Sequence, residues 1–184
     1  AYAYVGYPLF IGLLARLRPR PHAMAAIEPT VSVLVAAYNE EACIAAKIEN
    51  TLALDYPEDK LELVIVDDGS TDRTPEIVRS YPSDRVRLVS RPQRGGKAGA
   101  LLHGFPQTRG AVVVFSDANS RCAPGTVRKL VRHLADPDVG GSSGTMGIIE
   151  EQGSAESQGE GLYWRYETAL KKCDSLVSSV MGAS

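Results

Sequence analysis

Two adjacent aspartates, Asp67 and Asp68, close an apolar run in "VIVDDGSTDRT", and a Gly-Ser-Thr turn follows at once. Ionised carboxylates only accept hydrogen bonds, so a pair at a strand end suits a ribose hydroxyl or a base N–H and matches phosphate poorly. Alternation along a strand puts Val64, Val66 and Asp68 on one face and Ile65 and Asp67 on the other. One carboxylate can then point into a crevice while its neighbour caps the Gly69-Ser70-Thr71 turn. Turn chemistry alone would account for such a stretch in isolation. A second cluster, Asp117-Ala118-Asn119, ends the run "GAVVVFSDANS". Asp117 and Asn119 fall on one side, where two oxygen ligands can hold a hard divalent cation that keeps its waters and substrate phosphates; the alternative is a loop of Asx turns. Lys97, in "RGGKAGALLHG", stands at a helix start, where the dipole disfavours a cation. The conflict is resolved if Lys97 and the helix N-terminus share an anion, and a solvated surface lysine is the other reading.

These clusters need elements to position them. "TVSVLVAAY" (Thr30–Tyr38), "LELVIVDD" (Leu61–Asp68), "RVRLVS" (Arg85–Ser90) and "GAVVVFSDA" (Gly110–Ala118) read as strands. Helical spacing between them marks Asn39–Leu54, with Ile44, Ala45, Ile48 and Leu52 apolar and Asn39 as N-cap. Further helices are expected over "RTPEIVRSY" with Thr71 or Asp72 as its cap, "GGKAGALLHGF", Pro124–Ala135 and "SQGEGLYWRYETALKKC". Val139–Ile149 reads as a fifth strand weakened by glycines. The alternation predicts an α/β fold, a mostly parallel central sheet with helices on both faces. Ligands bind such sheets beyond the carboxyl ends of the strands, where Tyr38-Asn39-Glu40, Asp67-Asp68 and Asp117-Ala118-Asn119 all lie.

The bulk numbers narrow the class. The chain has 184 residues, 44% apolar and 23% charged, which fits one globular domain. Its net charge of −2 and the lack of a basic stripe with interleaved aromatics exclude a nucleic-acid binder. Cys43, Cys122 and Cys173 show no metal-ligand spacing and read as reduced thiols in a cytoplasmic setting. No GxGxxG follows a strand, no Walker A loop precedes Lys97, and GxSxG is absent. The first 15 residues carry no charge, and Arg16, Arg18 and Arg20 follow. That is short of the ~20 apolar residues a spanning helix needs. It reads as the end of a membrane helix whose start is missing, with the domain behind the arginines in the cytoplasm; a packed soluble helix, interrupted like the first by Gly6 and Pro8, is the alternative. Residues 21–30, with Pro21 and Pro29, read as a linker to a domain over 31–184.

In order and spacing, "VSVLVAAYNEE", "VIVDDGSTDRT", "GGKAGAL", "VVFSDANS" and "YWRYE" resemble the family 2 glycosyltransferases, closest to the membrane-bound branch of cellulose, hyaluronan and chitooligosaccharide synthases. The resemblance implies a GT-A fold and a nucleotide-diphosphate sugar donor, UDP being the commonest nucleotide, with a saccharide or lipid acceptor. It assigns Ala37, Tyr38 and Glu40 to the base and ribose, Asp68 with Asp67 beside it to base reading, and Lys97 to the diphosphate. Asp117 and Asn119 occupy the family's D-x-D, which holds Mg or Mn; here the second acid is a neutral Asn. Trp164-Arg165-Tyr166-Glu167 resembles the helix before the acceptor site. The family's catalytic base follows a "GAS" segment, so it is expected beyond Ser184, and both ends read as truncated. Inverting transfer is the expected reaction. A nucleotidyltransferase would carry a glycine-rich basic loop after the first strand, and "AAYNEEA" is acidic and glycine-free. A non-catalytic nucleotide-binding or scaffold subunit is the remaining alternative.

Overall fold

The computed structural model describes residues 5–19, 22–144, 166, 168–171 and 173–177. Contacts divide the chain into a unit of residues 25–135 and a unit formed by residues 1–24 and 136–184. In the second unit, α1 (Tyr7–Leu17) buries Ile11 and Ala15 and leaves Leu9, Phe10, Leu13 and Leu17 exposed. Pro8 does not interrupt it, because a proline in the first turn removes an N–H that has no helical partner anyway. Residues 168–171 and 173–177 are helical, within and beyond the last expected helix. Trp164, Arg165 and Glu167 lie outside the described residues. The expected fifth strand is not seen over residues 139–144, whose glycines pack no side chains, and its remainder lies outside them.

The 25–135 unit is the α/β fold anticipated. It holds β1 (Val31–Ala37), α2 (Ile44–Leu52), β2 (Leu61–Asp67), α3 (Thr74–Arg79), β3 (Val86–Ser90), α4 (Gly96–Gly104), β4 (Val112–Asp117) and α5 (Thr126–Val131). The four strands are parallel, in the order β3-β2-β1-β4. Period-two alternation builds both core layers. Val31, Val33 and Val35 join Leu61, Leu63 and Ile65 under Ile44, Ile48, Val78, Val127 and Val131 of α2, α3 and α5. Leu34, Val64 and Val66 face the other way, with Ala100 of α4. Each fully buried Val, Leu or Ile contributes about 1.5–3 kcal/mol.

Element edges depart from the sequence reading in a few places. Asn39 is not an N-cap: α2 starts five residues later, and Asn39 adopts a left-handed backbone (φ 54°). Its side-chain oxygen is taken by the Thr71 amide at 2.8 Å, so it joins two loops instead of capping a helix. Neither Thr71 nor Asp72 is the N-cap of α3, which is Arg73; Asp72 stands one residue earlier and accepts from the Thr74 amide at 3.0 Å. After Val131, α5 tightens into a 3-10 turn over Arg132–Ala135.

At the amino ends of the strands, Glu62 ties three segments together. It accepts from the Ser32 hydroxyl, the Arg109 amide (2.7 Å) and Arg87 Nη1 (3.1 Å). Burial pushes its pKa up, but these donors more than offset it and hold the carboxyl below the ordinary range. Stability from a depressed carboxyl is present above its unfolded pKa and lost as pH falls through the folded one. Glu62→Gln is therefore expected to cost about 1–2 kcal/mol at pH 7. The gap from wild type should close below about pH 4, read as melting temperature against pH.

Candidate functional site

The strand order reverses between β1 and β4: β2 and β3 extend one way from β1, and β4 lies on the other side. A crevice outside the carboxyl ends of the strands at such a point is where α/β sheets bind ligands. Here it is a cleft of about 330 Å³. β1 and its loop contribute Ala36, Ala37, Tyr38 and Glu40, and the residue just past β2 is Asp68. Arg94, Gly96, Lys97 and Ala100 come from the start of α4, and Asp117, Ala118 and Asn119 from the end of β4. Of the residues singled out from sequence, Ala37, Tyr38, Glu40, Asp68, Lys97, Asp117 and Asn119 converge on this cleft, and Asp67 does not.

The two aspartates divide as alternation requires. Asp67 points to the α2 and α3 side, is buried, and caps the turn by accepting from the Ser70 amide at 3.0 Å. Asp67 thus takes the turn-capping place that alternation leaves to one of the pair, and it does not line the cleft. Asp68 faces the α4 side. Its carboxylate accepts from Arg91 Nη1 at 2.7 Å and from the Gly95 amide at 3.0 Å. The Arg91 guanidinium fills the space where a Cβ on Gly95 would sit, 2.5 Å away, so a side chain there would have to displace that guanidinium. Asp68 thus holds down the loop that presents Lys97, besides lining the cleft.

The β1 loop and the turn after β2 are laced to each other. The Asn39 amide donates to Ser70 Oγ at 3.0 Å, the Glu40 amide to Thr74 Oγ1 at 2.8 Å and the Glu41 amide to Asp72 Oδ2 at 3.0 Å. This lacing explains the polar run after Asp68, and it fixes Tyr38 and Glu40 at the cleft edge. Cys43 donates to Glu40 at 3.0 Å, and burial together with that carboxylate pushes its thiol up to about 11.

Lys97 Nζ lies 2.5 Å from Asp117 Oδ1. A cation is therefore accommodated beside Asp117, whose side chain is 47% exposed toward the cleft. One carboxylate and the neutral oxygen of Asn119 are hard donors, too few for a closed cage, and no cluster of three acidic, His or Cys side chains occurs among the described residues. The donor set fits a divalent cation that is completed by water and by phosphate oxygens.

Two arginines escaped the sequence reading. Arg94 stacks over the Tyr38 ring with its guanidinium carbon 3.8 Å from the centroid, and Arg91 pairs with Asp68. The only signal was the spacing of both arginines just ahead of the glycine pair in "RPQRGGK".

The family described as glycosyl transferase family 2 matches residues 32–181. The beta-monoglucosyldiacylglycerol synthase of Synechocystis is 37% identical over 137 residues, covering 72% of this chain and 29% of that protein. The dolichyl-phosphate beta-glucosyltransferase of Mus musculus is 32% identical over 118 residues, covering 58% of this chain and 36% of the relative. Among solved structures, the mannosyltransferase PcManGT of Pyrobaculum calidifontis, in complex with GDP-Man and Mn2+, superposes with a TM-score of 0.67 at 38% identity, covering 76% of this chain and 43% of that one. The chain thus spans less than half the length of each. The match over most of its residues and the parallel sheet with its switch-point cleft agree: the chain belongs to glycosyl transferase family 2.

Proposed function

We propose that this chain forms the donor site of a glycosyltransferase that moves a sugar, with inversion, from a nucleotide-diphosphate sugar to a saccharide or lipid acceptor. The observation that carries the reading is the convergence of Tyr38, Asp68, Lys97, Asp117 and Asn119 on one switch-point cleft in a chain of this family. Tyr38 offers an aromatic face for the base. Lys97 and the first amides of α4 meet the diphosphate. Asp117 and Asn119 would hold Mg or Mn, which supplies neutralisation of the departing diphosphate when bound. The Pyrobaculum mannosyltransferase carries GDP-Man and Mn2+, which supports this arrangement.

In the reaction, the acceptor oxygen bonds to the anomeric carbon as the bond from that carbon to the diphosphate oxygen breaks. The acceptor's proton passes to a general base, and the nucleoside diphosphate leaves with the bonding electrons. Lys97 stabilises the charge that develops on it. The names of the Synechocystis and mouse relatives favour a lipid acceptor over a saccharide one. Membrane association with the domain on the cytoplasmic side fits that acceptor. No helix among the described residues is long and apolar enough to cross a membrane, but α1 exposes Leu9, Phe10, Leu13 and Leu17 and ends near Arg16 and Arg18, as an interfacial segment does.

The test is calorimetric titration of the protein with UDP, GDP and their common sugar conjugates, with and without Mn2+. Metal-dependent binding of one nucleotide is the expected result, and no binding by the folded protein would overturn the reading. Asp68→Ala should weaken that binding about tenfold, because it releases the loop carrying Lys97 as well as removing a cleft carboxylate. Unchanged affinity would remove Asp68 from the site.

A further inference from the structure

Among the described residues, Lys47 is the one charged side chain in the group of largest fully buried ones, with 2% of its surface exposed. Burying an ammonium is costly unless its donors are satisfied. All three N–H donors of Lys47 find oxygen. They go to Ser116 Oγ at 2.6 Å, the Ser120 carbonyl at 3.0 Å and Ser120 Oγ at 3.2 Å. Among the described residues no carboxylate stands within ion-pair distance of it. Burial pushes its pKa down, with the charges of Cys122 and Asp117 pulling the other way. A methionine would fill the same volume at this helix position without that cost.

The gain is visible in what the three oxygens bracket. Ser116 is the last inward-facing residue of β4, and Ser120 lies just past Asn119. Ser120 in turn donates through its hydroxyl to the Asp117 carbonyl at 2.9 Å. One turn further along α2, Asn50 holds the same segment twice. Its Nδ2 donates to the Cys122 carbonyl at 2.9 Å, and its Oδ1 accepts from the Cys122 amide at 2.8 Å. Residues 47 and 50 share a helix face. The segment from Ser116 to Cys122 is therefore pinned from behind at three points, while Asp117 and Asn119 project from its front into the cleft.

We propose that Lys47, with Asn50, is a positioning residue for the donor site: it clamps the segment bearing Asp117 and Asn119 to α2 and so fixes their two oxygens for a divalent cation. The proposal rests on the donor-site reading above, and it has one arm that does not.

That arm is amide hydrogen exchange in the absence of any ligand. In Lys47→Met, the Ser120 amide, which donates to the Asp117 carbonyl at 3.3 Å, should exchange at least about tenfold faster, while amides of β1 and β2 keep their protection. The second arm is titration with UDP and GDP, with and without Mn2+. The tightening that Mn2+ confers should fall about tenfold in Lys47→Met, as for residues that orient metal ligands, while metal-free affinity stays unchanged. Asn50→Ala, at a half-buried position that is safer for folding, should show the same pattern more weakly. Unchanged exchange at Ser120 in both variants overturns the clamp. So does an equal loss of metal-free and metal-dependent binding, which marks a merely structural lysine. Absence of nucleotide binding in the wild type overturns the donor-site reading instead, and the exchange arm then decides the clamp alone.

Discussion

Asp117→Ala is expected to remove the metal-dependent part of donor binding, with a loss of at least about 100-fold in the presence of Mn2+, since even outer-shell partners of a metal cost about 10–100-fold when removed. Asn119 brings no charge, and the cleft has no other acidic side chain free to substitute: Asp68 is bound to Arg91 and Gly95, and Glu40 to Cys43. The same substitution frees Lys97, whose ammonium pairs with Asp117. Metal-free binding of a nucleoside diphosphate should therefore hold or tighten, because the lysine no longer divides its charge between Asp117 and the ligand. The two effects run in opposite directions, which separates this account from general damage. Stability should barely move, since Lys97 is 66% exposed and such pairs contribute about 0–1 kcal/mol. Equal losses with and without Mn2+ would mean that Asp117 meets the donor directly. Asn119→Asp is the counterpart and should strengthen the response to Mn2+.

The part of this site that was legible in the sequence is the part governed by period-two alternation. It separated Asp68 from Asp67 and set Asp117 and Asn119 opposite Ala118, which is buried in the core. The strand-helix rhythm likewise gave the parallel sheet and the end at which its polar clusters meet. The features that escaped depend on partners distant in the chain. Lys47 and Thr51 lie on the buried face of α2, where the apolar pattern pointed to Ala45 and Leu52. Pattern rules assign Lys to solvent, and only Ser116 and Ser120, about seventy residues on, make its burial tolerable. Asn39 carries the signature of a cap, yet its side chain serves Thr71 across the cleft edge. Arg91 could not be matched with Asp68 until the loop after β3 was seen to fold back over β2.

Gly110→Ala is expected to cost about 3 kcal/mol and to lower the melting temperature by about 10 °C or more, as overpacking against rigid neighbours does. A Cβ at this position would lie 2.4 Å from the Ser32 amide nitrogen and 2.7 Å from the Val31 carbonyl carbon. Both are backbone atoms of β1, so no side-chain rotation relieves the contact. Nor can the chain withdraw easily. The Gly110 amide donates to Ser32 Oγ at 2.8 Å, the Ala111 amide to Thr30 Oγ1 at 3.0 Å and the Val112 amide to the Thr30 carbonyl at 3.1 Å. These bonds set the entry of β4 alongside β1 and hence the register Val31↔Val112 through Ala36↔Asp117. A strand pushed outward at its first residue carries Asp117 with it at its last. Nucleotide affinity with Mn2+, measured well below the lowered melting temperature, should consequently fall too, whereas Glu62→Gln should leave it unchanged. A stability change under about 1 kcal/mol would show that β4 can slide against β1, and with it that the register does not hold the cleft in place.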